Sequence, residues 1–187
     1  MKKKLAIFDL DGTLFDTKDV NYHAYKAALN EYGYDMSYDY YCNYCNGRHY
    51  TTFLPPILGD DKQVLQAVHS QKKRLYSEYL NKAVCNEHLF RLISSMREQY
   101  YTAIVTTASR QNVNDILKYA GDKGSYFDLI LTAEDFTKTK PDPEGFLMAM
   151  DRFGMGPEDT IIWEDSEVGL EAAKASGAYY VQVHGFN

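Results

Sequence analysis

The run from Leu5 to Thr13, LAIFDLDGT, decides how the rest of the chain reads. Leu5, Ala6, Ile7 and Phe8 are too few for a helix and suit a buried strand. The strand ends in two carboxylates, Asp9 and Asp11, which period-two geometry turns to one side. Gly12 follows at once and permits a tight turn or a close backbone approach. Two acids held together at the end of a buried strand repel each other and call for a cation. A hard, oxygen-seeking ion such as Mg2+ suits them, because it binds through one or two carboxylates and leaves its remaining positions to water and phosphate.

Outward from that run, composition sets the bounds. The chain has 187 residues, enough for one domain with an insertion or for two small ones. A 45% hydrophobic and 25% charged content is that of an ordinary soluble globular protein. The net charge of −6 speaks against a nucleic-acid-binding surface, so an anionic ligand needs local donors that overcome the global field. Three cysteines in a chain this long are not a disulfide framework, and a reducing cytoplasm is the expected location. Lys2 to Lys4 ahead of the apolar run look like the start of a signal peptide, but Asp9 stops the run well short of the length required. No stretch reaches membrane-spanning length, and no membrane partner is expected.

Beyond Thr17 the periodicity is helical. Val20, Ala24, Ala27 and Ala28 mark a helix stopped by Gly33, and Asp61 to Leu80 reads as one long amphipathic helix. Between them Tyr38, Tyr40, Tyr41 and Tyr44 crowd around Cys42 and Cys45. Cys42, Cys45 and His49 lack an evident fourth ligand for zinc, and packing between helices is the expected use of the tyrosines. From Asn86 on, strands and helices alternate. Tyr101 to Val105, Phe127 to Leu131, Thr160 to Trp163 and Tyr179 to Val183 read as strands. Asp142, Pro143 and Glu144 read as an N-cap, a first-turn proline and an acidic first-turn residue. Ser166 caps a last helix whose Gly169, Ala172 and Ala173 allow close packing on a sheet. The pattern predicts an α/β fold, a Rossmann-like doubly wound parallel sheet formed by residues 1–16 and 84–187 with an inserted all-helical cap domain at 17–83.

In such sheets the ligand crevice lies beyond the carboxyl ends of the strands. Those ends carry Asp9 and Asp11, then Thr107 and Ser109, then Glu164 and Asp165, with Lys140 in a loop before the proline-started helix. Acids for a metal and donors for an anion suit phosphoryl chemistry. Asp9-Leu-Asp-Gly-Thr13, Thr107, Lys140-Pro-Asp-Pro and Glu164-Asp-Ser-Glu-Val-Gly-Leu-Glu-Ala-Ala together resemble, in order, the four motifs of the haloacid dehalogenase-like hydrolases. The resemblance extends over the chain outside the helical block, which lies where the phosphatases and β-phosphoglucomutase-like members carry a helical cap.

That resemblance implies a role for each residue. Asp9 is the nucleophile that accepts the phosphoryl group, and Asp11 is the general acid and base. Mg2+ is held by the Asp9 and Asp165 carboxylates and the Asp11 carbonyl. The Leu10, Asp11 and Ala108 amides and the Thr107 hydroxyl bind phosphate oxygens, with Thr106 one residue away as the alternative hydroxyl. Lys140 neutralises nucleophile and phosphate, a part the Pro141 and Pro143 spacing assigns to it over Lys138. Glu164 orients metal waters or Lys140, and Arg48 after Gly47 falls where cap residues reach substrate. Asn21 stands where the mutases tend to have a histidine, which lowers that reading. The expected activity is Mg2+-dependent hydrolysis of a small phosphorylated metabolite through an aspartyl-phosphate. The alternatives are a phosphomutase and a non-catalytic phospholigand-binding protein. A monomer or weak homodimer is expected.

Overall fold

The computed structural model describes residues 4–186, so Lys2 and Lys3 lie outside the described residues. The chain enters through β1 (Lys4–Phe8) and the two-residue strand β2 (Phe15–Asp16). Helices follow: α1 (Lys18–Asn30), α2 (Tyr38–Tyr40), α3 (Tyr50–Phe53), α4 (Pro55–Leu58) and α5 (Lys62–Leu75). It then runs through β3 (Val84–Cys85), α6 (Glu87–Met96), β4 (Tyr100–Val105), α7 (Arg110–Tyr119) and β5 (Leu129–Leu131). The last elements are α8 (Glu144–Phe153), β6 (Thr160–Glu164), α9 (Glu167–Ser176) and β7 (Tyr179–Gln182). Two compact units result, one from the chain up to Asp16 with the chain from Val84 on, the other from Thr17–Ala83.

In the first unit five strands form one sheet in the order β5-β4-β1-β6-β7, every pair parallel. Phe8 stands opposite Ile104 on one side and Trp163 on the other. Strand order reverses at β1: the chain moves outward through β4 and β5, then returns to β6 on the opposite side. That reversal opens a crevice at the carboxyl ends of β1 and β6. Alternation sends Leu5 and Ile7 to a face shared with Ala103, Val105 and Ile162 and covered by Phe146, Ala149 and Met150 of α8 and Ala172 and Ala173 of α9. Phe8 points the other way, stacks on Trp163 at 4.6 Å and meets Phe127 edge-on at 6.2 Å. Asp9, two residues past Ile7, inherits the α8 and α9 side. β2 and β3 pair antiparallel, Phe15 with Cys85 and Asp16 with Val84, so the chain leaves and re-enters this unit as a short ribbon.

The second unit is helical. Tyr22, Tyr25, Ala28, Leu29, Phe53, Leu65 and Val68 form its core together with Met36, Tyr41 and Cys45. The segment expected as one helix from Asp61 to Leu80 is divided. Asp61 caps α5 by accepting from the Gln63 and Val64 amides, but the α-helix ends at Leu75 and a 3-10 turn, Tyr76–Lys82, takes over. Lys72, Lys73 and Arg74 lie in the last α turn, where cations favour the negative end of a helix and so favour its stopping there. The tyrosine-rich stretch winds into a wide turn, Tyr41–Cys45, in which the Asn46 amide reaches back to the Tyr41 carbonyl at 2.9 Å. Tyr41 and Cys45 turn inward while Tyr44 stays exposed. No helix among the described residues is long and apolar enough to cross a membrane.

Candidate active site

The carboxyl end of β1 is held on three sides. The Asp9 amide donates to the Trp163 carbonyl at 2.9 Å, which carries the β1–β6 ladder one residue past the strand and fixes Asp9 beside β6. The next turn closes on itself, because the Leu10 carbonyl accepts from the Leu14 and Phe15 amides at 3.0 Å and the Gly12 amide donates to the Phe15 carbonyl at 2.7 Å. Asn86 then ties the turn to α6: its amide and side chain donate to the Leu14 and Thr13 carbonyls, while its side-chain oxygen caps Leu89. Gly12 has φ +89°, and a Cβ there would lie 2.5 Å from the Asp165 carboxyl carbon and nearer still to one of its oxygens. Only glycine lets this turn pass so close to Asp165. Thr13 secures the approach by donating its hydroxyl to Asp165 Oδ1 at 3.1 Å.

Into this corner comes Lys140. Its ammonium lies 2.5 Å from Asp9 Oδ1 and 2.6 Å from Glu164 Oε2, with the Phe146 ring 5.2 Å away. All three charged side chains are buried. Burial by itself disfavours the ammonium, but Asp9 and Glu164 outweigh it and hold the Lys140 pKa above its ordinary value. For Asp9 the balance tips the other way. Burial first, then the charges of Glu164 and Asp165, raise its pKa well above the usual carboxylate range against the pull of Lys140. Asp165 is pushed up to about 6 by burial and then by Glu164, with the Thr13 hydrogen bond opposing. Three carboxylates therefore crowd one ammonium, and negative charge is in excess among these four groups.

Ligand atoms of Asp9, Glu164 and Asp165 lie within 4.8 Å of one another, the one cluster of three His, Cys, Asp or Glu found among the described residues. Glu164 is already engaged at both oxygens, Oε2 by Lys140 and Oε1 by the Ser166 amide at 3.1 Å and hydroxyl at 2.6 Å. Asp9 and Asp165 each use Oδ1 in the bonds above, and their Oδ2 atoms suit a hard divalent ion that would balance the charge. Cys42, Cys45 and His49 form no such cluster, and Cys45 instead sets its thiol 3.8 Å from the Met36 sulfur.

The remaining residues from the sequence reading fall as follows. Leu10 is buried and Asp11 half-buried in the same turn as Gly12. Thr106 and Thr107 separate sharply: Thr106 is buried, its amide in the β4–β5 ladder through the Leu131 carbonyl and its hydroxyl accepting from the Ala108 amide at 3.1 Å, whereas Thr107 is exposed. Arg48 is exposed in the helical unit. Asp142 accepts from the Glu144 amide at 3.0 Å, the bond an N-cap makes two residues on, although α8 begins at Glu144. Ser166, read as a cap only, also holds Glu164. Gly169, read as a packing residue, meets the Glu164 side chain itself.

The chain is similar to known proteins along nearly its whole length. A family model described as haloacid dehalogenase-like hydrolase matches residues 6–183. The phosphorylated carbohydrates phosphatase of Thermotoga maritima is 29% identical over 97% of this chain and 86% of its own length. The fructose-1-phosphate phosphatase YqaB of Escherichia coli is 27% identical over 95% of this chain and 94% of its own. Among solved structures, a putative β-phosphoglucomutase from Thermotoga maritima superposes with a TM-score of 0.71 at 26% identity, over 98% of this chain and 87% of that one. On a match that runs through β1, the Lys140 loop and β6 alike, the chain belongs to the haloacid dehalogenase-like hydrolases.

Proposed function

We propose that this protein is a Mg2+-dependent phosphatase that hydrolyses a small phosphorylated carbohydrate through an aspartyl-phosphate on Asp9. The observation that carries the reading is the burial of one ammonium between the Asp9 and Glu164 carboxylates with Asp165 beside them. A cation bound by Asp9, Asp165 and the Asp11 carbonyl supplies charge neutralisation for the carboxylates and the phosphoryl oxygens. Lys140 keeps one Asp9 oxygen oriented and shields it from the incoming anion. An Asp9 oxygen forms the new bond to phosphorus as the ester P–O bond breaks, and Asp11 gives its proton to the departing sugar oxygen. Asp11 then takes a proton from the water that attacks phosphorus, breaking the Asp9–phosphate bond and releasing inorganic phosphate. The Leu10 and Asp11 amides hold the phosphoryl oxygens, joined by the Ala108 amide once it exchanges the Thr106 hydroxyl for phosphate. For the hydroxyl that joins them we propose Thr107, exposed just past β4, over Thr106, which is buried and whose oxygen already accepts from the Ala108 amide.

The carbohydrate substrate is supported by the relatives named for phosphorylated carbohydrates and fructose 1-phosphate. A phosphomutase is the second reading, favoured by the putative β-phosphoglucomutase neighbour and opposed by Asn21. The purified protein, given a panel of hexose phosphates, is expected to release inorganic phosphate with magnesium and to stop in excess EDTA. Asp9→Asn should fall below about a thousandth of the wild-type rate. Isomerised sugar phosphate without phosphate release would favour the mutase, and full activity in EDTA would refute the metal assignment.

A further inference from the structure

We infer that Gly169 is a positioning residue for Lys140, because its missing side chain is the space in which the Glu164 carboxylate lies. The inference rests on the part proposed above for Lys140 in the reaction. Gly169 sits inside α9, where its φ is not one that favours glycine. Glycine within a helix costs about 0.5–1 kcal/mol relative to alanine. The same helix uses alanine at Ala172 and Ala173, so glycine at 169 is a local disadvantage that backbone conformation does not explain.

Space explains it. A Cβ on Gly169 would lie 2.5 Å from Glu164 Cγ and overlap the carboxyl carbon and Oε1. The side chain of Glu164 folds back from the end of β6 over the first turn of α9. There Ser166 donates its hydroxyl to Oε1 at 2.6 Å and accepts from the Gly169 amide at 3.1 Å. The seat thus consists of Ser166 on one side and an absent side chain on the other, and it aims Oε2 at the Lys140 ammonium, 2.6 Å away. What an added methyl would meet is the end of a side chain and not backbone, so α9 can stay as it is while the carboxylate moves. Lys140 would then keep Asp9 and lose Glu164, and the ammonium would no longer be fixed from two directions. Glu164 acts here as a holder of Lys140 and not as a ligand of the metal.

The test is Gly169→Ala, alone and combined with Glu164→Ala, which removes the three atoms that the new methyl would meet most closely. Crystal structures, thermal midpoints, and kcat and KM on p-nitrophenyl phosphate with magnesium are measured. Gly169→Ala is expected to fold with a lowered thermal midpoint, because a buried ion pair is broken, and to show the Glu164 carboxylate beyond salt-bridge distance of Lys140. Its kcat should drop ~10- to 100-fold, the scale of a small misplacement, with KM nearly unchanged. Glu164→Ala alone should lower kcat by a similar factor, and adding Gly169→Ala to it should lower kcat no further. A Gly169→Ala crystal structure that keeps the Lys140–Glu164 pair, or a normal kcat with the pair broken, would overturn the inference. If Gly169→Ala fails to fold while the double variant folds, the space argument is supported; if neither folds, it is overturned. Failure of the wild type to hydrolyse any phosphate ester would refute the proposed function, whereas the crystal structure of Gly169→Ala decides the placement of Glu164 by itself.

Discussion

At the scale of single residues, the site is a problem of excess negative charge, and Asp165 offers the clearest handle on it. Its folded pKa of about 6 lies above the value of 3.8 for an unperturbed carboxyl. Between those values the folded protein binds more protons than the unfolded one, so this group's contribution to stability falls as pH rises from about 4 through about 6. Asp165→Asn removes the titration while keeping an oxygen for Thr13. In EDTA, the variant is expected to melt at the same temperature as wild type near pH 4 and progressively above it toward pH 7; magnesium should cancel or reverse the gap by stabilising wild type alone. A difference independent of pH in thermal unfolding would contradict the assignment. That Asp9 and Asp165 would lie near each other was legible because acids at the ends of apolar runs are conspicuous. The two threonines were harder to tell apart, because neighbouring threonines differ only in which one the ladder retains. Gly169 escaped for a related reason, since helix periodicity carries no mark of what a missing side chain makes room for.

At the scale of elements, the five strands of the sheet were readable from short apolar runs with a turn residue after each, and the structure moves their ends by two residues or fewer. β2 and β3 were not, because two-residue strands exist only through their pairing with each other. The long helix after Asp61 was overextended, since buried Tyr76 and Leu80 continue the apolar pattern into a 3-10 turn that spacing alone does not separate from an α-helix. Asn86 shows how much one residue between elements can do. It caps α6 and holds the Thr13 and Leu14 carbonyls of the turn beside Asp165. A lost cap costs about 1 kcal/mol and a buried carbonyl left unpaired about 1–3 kcal/mol. Asn86→Ala is therefore expected to destabilise by about 2–4 kcal/mol in chemical denaturation, and Asn86→Asp, which keeps the cap and loses the donor, by less. A loss under about 0.5 kcal/mol for Asn86→Ala would show that the turn is held by other means.

At the scale of the whole molecule, the alternation of strands and helices predicted a parallel sheet, but the order β5-β4-β1-β6-β7 lies outside what periodicity contains. That order matters because it puts β1 in the centre with its ladder partner β6 alongside, and so joins groups far apart in the chain. Lys140 meets Asp9 across 131 positions, and Thr13 meets Asp165 across 152. Breaking such a buried pair by removing one partner costs about 3–5 kcal/mol, so the fold keeps an arrangement whose electrostatics are expensive unless an anion and a cation use it. The claim on which the account turns is that Asp9 itself receives the phosphoryl group. The most direct measurement is rapid acid quench of the enzyme mixed with labelled acetyl phosphate and magnesium, followed by mass spectrometry of the peptide containing Asp9. The account predicts a transient phosphoryl adduct on Asp9 that is absent in Asp9→Asn; turnover with no adduct at any quench time, or an adduct on another residue, would contradict it.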